Sequence, residues 1–443
     1  MSLSFPCLRL TVIGAGYLGL THAVCMAELG HDVLAIDTDE AKIAMAASGA
    51  PPFFEPGLEP LLRKNVEAGR LRFGTSYAEA GEFGEIHFLC VGTPQSADGS
   101  ADLQYVHAAV DALAPHLRQD CVVVGKSTVP VGTARGLAAR LRQGAPAGLQ
   151  VELAWNPEFL REGTAVRDSM SPDRLVFGVT SSWAADRLRD IYAQQLYNGT
   201  PCLVMDLETA ELVKVAANSF LATKISFINA MAEVCEASGA DVIRLAAALA
   251  ADERIGGRFL SPGLGFGGGC LPKDIRAFRA TARGLGVDSV DSFLNEVDAI
   301  NLSRRARVAD LAREIVGGDL AGARAAVLGI AFKPGSDDVR DSPSLAVCDQ
   351  LTREGAIVRV HDPVATGNAA KVRPDLRYAD TVTEAVAGAD VVLHLTDWAD
   401  YRAIDPVALG QVVGRRNIVD ARCTLDSDYW RSADWTVRIL GRP

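Results

Sequence analysis

The sequence predicts an α/β protein in which two parallel-sheet domains are joined by a central all-helical domain with a long linking helix. Three observations carry that prediction. Short apolar runs alternate with amphipathic helical patterns at the start of the chain. The pattern turns wholly helical from about Asp206. Strand-like runs then return at Gly322–Ala331.

Leu8–Ile13, His31–Asp37, Ile86–Gly92, Cys121–Lys126 and Val151–Trp155 read as short buried strands, and Tyr17–Gly30 and Leu103–Leu117 carry helical spacing. Strand and helix in alternation imply a parallel sheet covered on both faces. Asp206–Ser238 has no internal Gly or Pro, offers Asp206 or Thr209 as an N-cap and meets a stop at Gly239. A second long helix is expected over roughly Val290–Val316. Such apolar-faced helices commonly bury against another subunit. Gly322–Ala331, Ala356–His361, Val391–Leu395 and Asn417–Asp420 supply the strands of a second sheet. The expected domains are 1–205, 206–318 and 319–443.

A chain of 443 residues exceeds what one hydrophobic core sustains. With 49% hydrophobic and 22% charged residues it reads as an ordinary globular protein rather than a disordered one. Its formal net charge of -11 argues against non-specific nucleic-acid binding, which needs a basic face, yet a few local Arg and Lys side chains can still hold an anionic small ligand. No apolar run approaches the about 18 residues of a membrane span, and MSLSFPCLRLTVIG lacks the features of a secretory leader. Nine cysteines (Cys7, Cys25, Cys90, Cys121, Cys202, Cys235, Cys270, Cys348 and Cys423) are scattered singly without a CxxC pair. Neither a metal site nor a disulfide framework is suggested, and a reducing cytoplasm is the expected setting.

Gly14-Ala-Gly16-Tyr17-Leu18-Gly19 is a GxGxxG turn between an apolar strand and a helix. Its glycines permit a tight turn and close approach of a pyrophosphate to the helix N-terminus. The next strand ends at Asp37, about 20 residues on, where a carboxylate accepts hydrogen bonds from a ribose and repels a 2′-phosphate. The segment therefore reads as a Rossmann-like dinucleotide site that favours NAD over NADP. FAD shares the fingerprint, and a nucleotide-free turn is the plainer alternative.

Gly263-Leu-Gly265-Phe-Gly267-Gly268-Gly269-Cys270-Leu-Pro272-Lys273-Asp274 cannot be a stable helix or strand. Pro272 suits the first turn of a following helix, which puts Cys270 at a helix N-terminus where the dipole favours a thiolate. A thiolate so placed attacks carbonyl carbon. Loop cysteines are more often inert, so the loop alone leaves both readings standing. The other eight cysteines read as small core hydrophobes. Lys214 and Asn218 lie four apart on one expected helix face, either as a pair that stabilises an oxyanion or as a solvated stripe.

These segments together resemble the UDP-glucose/GDP-mannose dehydrogenase family, most closely the branch acting on UDP-glucose. The likeness runs through GAGYLGL, Phe54-Glu55-Pro56-Gly57-Leu58, Val91-Gly92-Thr93-Pro94 and Lys126-Ser127-Thr128-Val129-Pro130-Val131-Gly132. It continues in Asn156-Pro157-Glu158-Phe159-Leu160-Arg161-Glu162-Gly163, the Lys214/Asn218 helix, GFGGGCLPKD, Gly329-Ile330-Ala331-Phe332-Lys333-Pro334 and Val339-Arg340-Asp341-Ser342.

The resemblance implies two successive NAD-dependent oxidations at C6 of a nucleotide-diphosphate sugar. The alcohol becomes an aldehyde, Cys270 captures it as a thiohemiacetal, further oxidation gives a thioester, and water releases the acid. It implies Lys214 and Asn218 as oxyanion stabilisers, Asp274 and Thr128 as holders of a water, and Glu158 as general base in hydrolysis. Cofactor contacts would be Gly14, Gly16, Tyr17, Leu18, Gly19, Asp37, Lys42, Thr93, Thr128 and Glu162. Sugar-nucleotide contacts would be Phe159, Leu160, Glu162, Lys214, Asn218, Phe259, Gly267, Lys333 and Arg340, with Arg254 reaching a neighbouring subunit of a homodimer. Gly269 departs from the family, whose members commonly carry Ser or a larger residue there. dTDP-glucose or GDP-mannose as donor, and a two-electron hydroxyacid-type dehydrogenase, are the competing expectations.

Overall fold

Runs such as Val122-Val123-Val124 fold as central strands because both faces of the backbone must leave water, which a parallel sheet between helical layers allows. The computed structural model describes residues 5–442, so part of the N-terminal stretch read for a leader lies outside the described residues. The chain divides into two units, Met1–Ala217 and Asn218–Pro443.

In the first unit the strands are β1 (Arg9–Ile13), β2 (Asp32–Ile36), β3 (Leu71–Gly74), β4 (Ile86–Leu89), β5 (Cys121–Gly125), β6 (Val151–Trp155), β7 (Leu175–Gly178) and β8 (Cys202–Met205). They form one sheet in the order β3-β2-β1-β4-β5-β6-β7-β8. Every neighbouring pair is parallel except β6 and β7, which meet antiparallel at Trp155 and Gly178, a departure from the wholly parallel sheet expected. Successive side chains alternate between the two cores: Val12, Val33 and Ala35 pack into one, and Ile13, Leu34 and Ile36 into the other. Because β1 pairs with both β2 and β4, the chain winds away from it in both directions. That arrangement opens a crevice at the carboxyl ends of these strands.

The helix Leu207–Ser238 begins in the first unit and continues into the second, with Asp206 accepting from the Thr209 amide at 2.7 Å as its cap. The second unit continues with helices Val242–Ala250, Leu271–Gly284 and Asp288–Val316, the last ended by Gly317 at φ 107°. Its strands are β9 (Arg324–Leu328), β10 (Ile357–His361), β11 (Arg377–Tyr378), β12 (Val391–His394), β13 (Asn417–Asp420) and β14 (Thr436–Ile439). They form an all-parallel sheet in the order β11-β10-β9-β12-β13-β14.

The cysteines need one correction. Cys25, Cys90, Cys121, Cys235 and Cys348 are buried, and Cys202 and Cys423 are partly buried against core clusters, but Cys7 is exposed ahead of β1, where the chain has not yet entered the sheet.

Candidate active site

The first unit holds a dinucleotide crevice. Gly14, at φ +98°, follows β1, and a Cβ there would stand 2.9 Å from the Cys90 carbonyl oxygen. A Cβ on Gly19 would stand 1.8 Å from the Gly14 oxygen, so the third glycine lets the helix Tyr17–Glu28 lie against the turn. Gly16 caps that helix without a side-chain hydrogen bond and with open space around it, which leaves the first amides for an anionic ligand. Asp37 stands just beyond β2, where its Oδ2 accepts from the Ala15 amide at 2.7 Å and from Lys42 Nζ at 3.2 Å. Burial pushes its carboxyl upward, but the Asp39 and Ala15 amides and Lys42 outweigh this and hold it below its ordinary range. An open helix terminus beside an ionised carboxylate fits NAD. Thr93 joins the same end of the sheet by donating to the Thr128 carbonyl at 2.8 Å.

The Asn156–Gly163 segment leaves the carboxyl end of β6. Glu158 accepts from the Leu160 amide at 2.6 Å and from Lys214 Nζ at 2.8 Å. Lys214 is 5% exposed and Asn218 is 8% exposed, so neither belongs to a solvated stripe. The Phe159 ring carries Arg174 at 3.8 Å on its centroid, and Lys214 at 5.8 Å. Glu162 is half-buried, and its charge, with that of Glu55, helps push the Tyr17 hydroxyl upward, burial being the largest cause.

In the second unit Cys270 is the N-cap of the fourteen-residue helix Leu271–Gly284, with Pro272 in its first turn, and it is exposed. Asp274, one turn on, is buried and accepts from Asn218 Nδ2 at 2.6 Å and from Lys273 Nζ at 2.7 Å. The glycines have distinct causes. Gly267 has no room for a Cβ, which would fall 2.3 Å from the Asp341 carbonyl oxygen, and at Gly268 (φ +84°) a Cβ would strike the Phe332 ring. Gly269 has no positive φ, and a Cβ there would lie 2.4 Å from Arg340 Cζ. An arginine guanidinium thus occupies the space that a side chain at 269 would take. Arg340 also grips Asp338 with Nε and Nη2 at 2.9 and 2.7 Å, and Lys333 Nζ lies 5.4 Å from the Phe332 ring centre. Phe259 is held at φ 64°, and Arg254, 88% exposed, pairs with Asp252 at 2.6 Å.

Several residues that position these groups escaped the sequence reading. Glu55 is buried and accepts from the Gly163 and Ala165 amides, both at 2.7 Å, and from the Tyr17 hydroxyl, so it ties the 162–165 turn to the dinucleotide helix. Glu211 accepts from the Gly132 and Ala134 amides at 2.7 and 2.6 Å; burial pushes its carboxyl up to about 7. Asn301 holds the glycine loop through both the amide and the carbonyl of Phe266, at 2.7 and 3.0 Å. The only sequence signal for the two acids was an ionisable residue inside an otherwise apolar or Gly/Pro-rich motif.

A glycine turn fitted to a dinucleotide, an exposed helix-cap cysteine and a buried lysine–carboxylate pair define a nicotinamide-dependent oxidoreductase. Three descriptions of one family match in series. They are the UDP-glucose/GDP-mannose dehydrogenase NAD binding domain over residues 8–196, the central domain over 208–303 and the UDP binding domain over 326–427. The chain is 42% identical to the UDP-glucose 6-dehydrogenase of Pseudomonas aeruginosa and 40% identical to the UDP-glucose 6-dehydrogenase YwqF of Bacillus subtilis, covering 98% of each chain in both cases. The UDP-glucose dehydrogenase structure from Pyrobaculum islandicum superposes with a TM-score of 0.92 at 37% identity, covering 100% of both chains. The chain belongs to the UDP-glucose/GDP-mannose dehydrogenase family and is an NAD-dependent nucleotide-sugar dehydrogenase.

Proposed function

We propose that the chain oxidises the C6 primary alcohol of UDP-glucose to the carboxylate in two two-electron steps, through a thioester on Cys270. The observation that carries this reading is the placement of Cys270. It is exposed at the N-cap of a long helix, where the dipole favours a thiolate. The names of the similar enzymes support UDP-glucose as donor, and dTDP-glucose and GDP-mannose are the alternatives.

NAD supplies the two-electron acceptor for each oxidation, and Gly14, Gly16, Tyr17, Leu18, Gly19, Asp37, Lys42, Thr93, Thr128 and Glu162 would hold it. Lys214 and Asn218 stabilise the alkoxide and later the tetrahedral oxyanion by charge and hydrogen bonding. The Cys270 sulfur adds to the aldehyde carbon, and the carbonyl oxygen takes a proton. After the second oxidation water adds to the thioester carbon and the thiolate leaves. Glu158 takes a proton from that water, while Asp274 and Thr128 each orient water by hydrogen bonds. Phe159, Leu160, Glu162, Phe259, Gly267, Lys333 and Arg340 contact the sugar nucleotide in this reading.

The working unit is a homodimer. Phe220, Phe227 and Val234 stand seven residues apart along the helix Leu207–Ser238, so they share one side of it, and are 65%, 49% and 56% exposed. A second copy would cover this stripe, and Arg254 would reach the neighbouring subunit. Three domains, 1–205, 206–318 and 319–443, are part of this reading, supported by the serial order of the family matches, and cysteines scattered singly without a CxxC pair support a reducing cytoplasm as the setting.

NADH formed per sugar consumed tests the chemistry. A ratio of two is expected, and a ratio of one would remove the thioester. Initial rates on UDP-glucose, dTDP-glucose and GDP-mannose at matched concentration decide the donor. Sedimentation of Phe227→Glu tests the interface: a shift to monomer is expected, and an unaltered dimer would refute the assigned stripe.

A further inference from the structure

Lys126 ends the apolar run of β5 and is one of the most enclosed charges in the first unit, at 6% exposure. Among the described residues it forms no ion pair within 4.0 Å. Its ammonium instead donates to Asn156 Oδ1 at 3.0 Å, to the Asn156 carbonyl at 3.4 Å and to the Tyr192 hydroxyl at 3.5 Å. Asn156 is fixed in turn. Its amide nitrogen donates to the Gly125 carbonyl at 2.8 Å, its Nδ2 donates to the Val176 carbonyl at 2.9 Å, and its Oδ1 accepts from Tyr192 at 2.7 Å. Two residues further along, Glu158 carries the Lys214 contact at 2.8 Å. A buried ammonium without a carboxylate of its own is costly, so its retention at the root of this turn calls for a use.

We propose that Lys126 is a positioning residue for the Glu158–Lys214 pair, fixing the turn that carries Glu158 and adding a second positive charge behind a single carboxylate. This rests on the roles given above to Lys214 and Glu158. Lys126 makes no ion pair with Glu158, yet charge acts between it and both Glu158 and Lys214, so a second ammonium near that carboxylate makes each lysine easier to deprotonate. In this proposal the second charge loosens the hold of Glu158 on the Lys214 ammonium, which suits a group meeting first a hydroxyl and then an oxyanion. The groups facing Lys126 are Cys90, Glu158, Lys214 and Tyr192, with the fully buried His22 beside it. Burial is the main cause that brings the Lys126 ammonium down to about 8; Lys214 lowers it further, while Cys90 and Glu158 oppose. His22, itself pushed down by burial, stays neutral beside it, and its Nε2 has no partner among the described residues. Lys126 therefore supplies a second cationic charge that acts on Glu158.

The test is the pH profile of kcat/KM for UDP-glucose in Lys126→Met, Lys126→Arg and Tyr192→Phe, with Lys214→Arg identifying the limb that reports Lys214. Lys126→Met should move that limb up by about one pH unit and lower kcat/KM about tenfold or more. Lys126→Arg, which keeps the charge, should restore the limb. Tyr192→Phe takes one acceptor from the ammonium and should move it the same way by less, which keeps the test intact if Lys126→Met does not fold. A uniform loss of rate with the limb unmoved in both Lys126→Met and Tyr192→Phe would overturn the proposal. Full activity in Lys214→Ala would instead overturn the role of Lys214, so the two failures are told apart.

Discussion

Replacing Glu55 by Gln removes one charge from a buried carboxylate that accepts three hydrogen bonds, two from the Gly163 and Ala165 amides at 2.7 Å and one from Tyr17. The best placement of the new amide turns its oxygen toward Gly163 and Tyr17, and its NH2 group then faces the Ala165 N–H. One hydrogen bond is lost, a buried donor is orphaned, and two charge-assisted bonds become neutral ones. These losses sum to about 2–4 kcal/mol, less about 1 kcal/mol gained from no longer burying a charge, so a net cost of about 1–3 kcal/mol is expected. The damage concentrates where Glu162 and Tyr17 meet the dinucleotide helix. Hydrogen exchange at residues 163–165 should therefore speed up, and NAD affinity should fall about tenfold. Denaturant unfolding, exchange mass spectrometry and NAD titration read the three effects. Unchanged exchange together with unchanged NAD affinity would refute the argument that Glu55 holds this turn.

Cys270→Ser should cut turnover by roughly a thousandfold or more while NAD binding stays intact, because a serine hydroxyl is not ionised near neutral pH; steady-state rates at the parent level would end the covalent route. His87 is fully buried and burial pushes it down to about 3, so the stability it contributes is present above its unfolded value near 6.5 and is lost as pH falls toward 3. Unfolding free energy should then decline by about 1.4 kcal/mol per pH unit for this group below pH 6, a slope that His87→Leu combined with Thr11→Val should reduce. In Gly125→Ala the new Cβ would stand 2.0 Å from Trp155 Cζ3, on a ring that is 1% exposed and cannot swing aside. A loss of about 1–3 kcal/mol is expected in thermal melts, and an unshifted melt would mean that the ring relaxes without cost.

Much of the architecture was legible because periodicity is local. Val122-Val123-Val124 announces a strand buried on both faces, and the Gly/Pro-free stretch ending at Gly239 announces a long helix. The short strands β3, β7 and β11 carry too few residues to declare a period, and β8 exposes Leu203 and Val204 at the sheet edge. The reversal of β7 against β6 has no local signature, since strand direction is set by the path of the intervening chain.

The site divides along the same line. Sequence by itself determined which groups are chemically competent: the GxGxxG turn, the carboxylate ending β2, and the cysteine before a proline-started helix each follow from short-range backbone geometry. Tertiary structure alone decided what surrounds them. It buried Lys214 against Glu158, set Asp274 on Asn218, brought Glu55 from a Pro/Gly-rich loop to the amides of 163 and 165, and seated Arg340 in the space that Gly269 leaves open. The physical reason is that hydrogen bonds and charge interactions depend on distances of about 3 Å between groups far apart in the chain, and no local pattern encodes those distances.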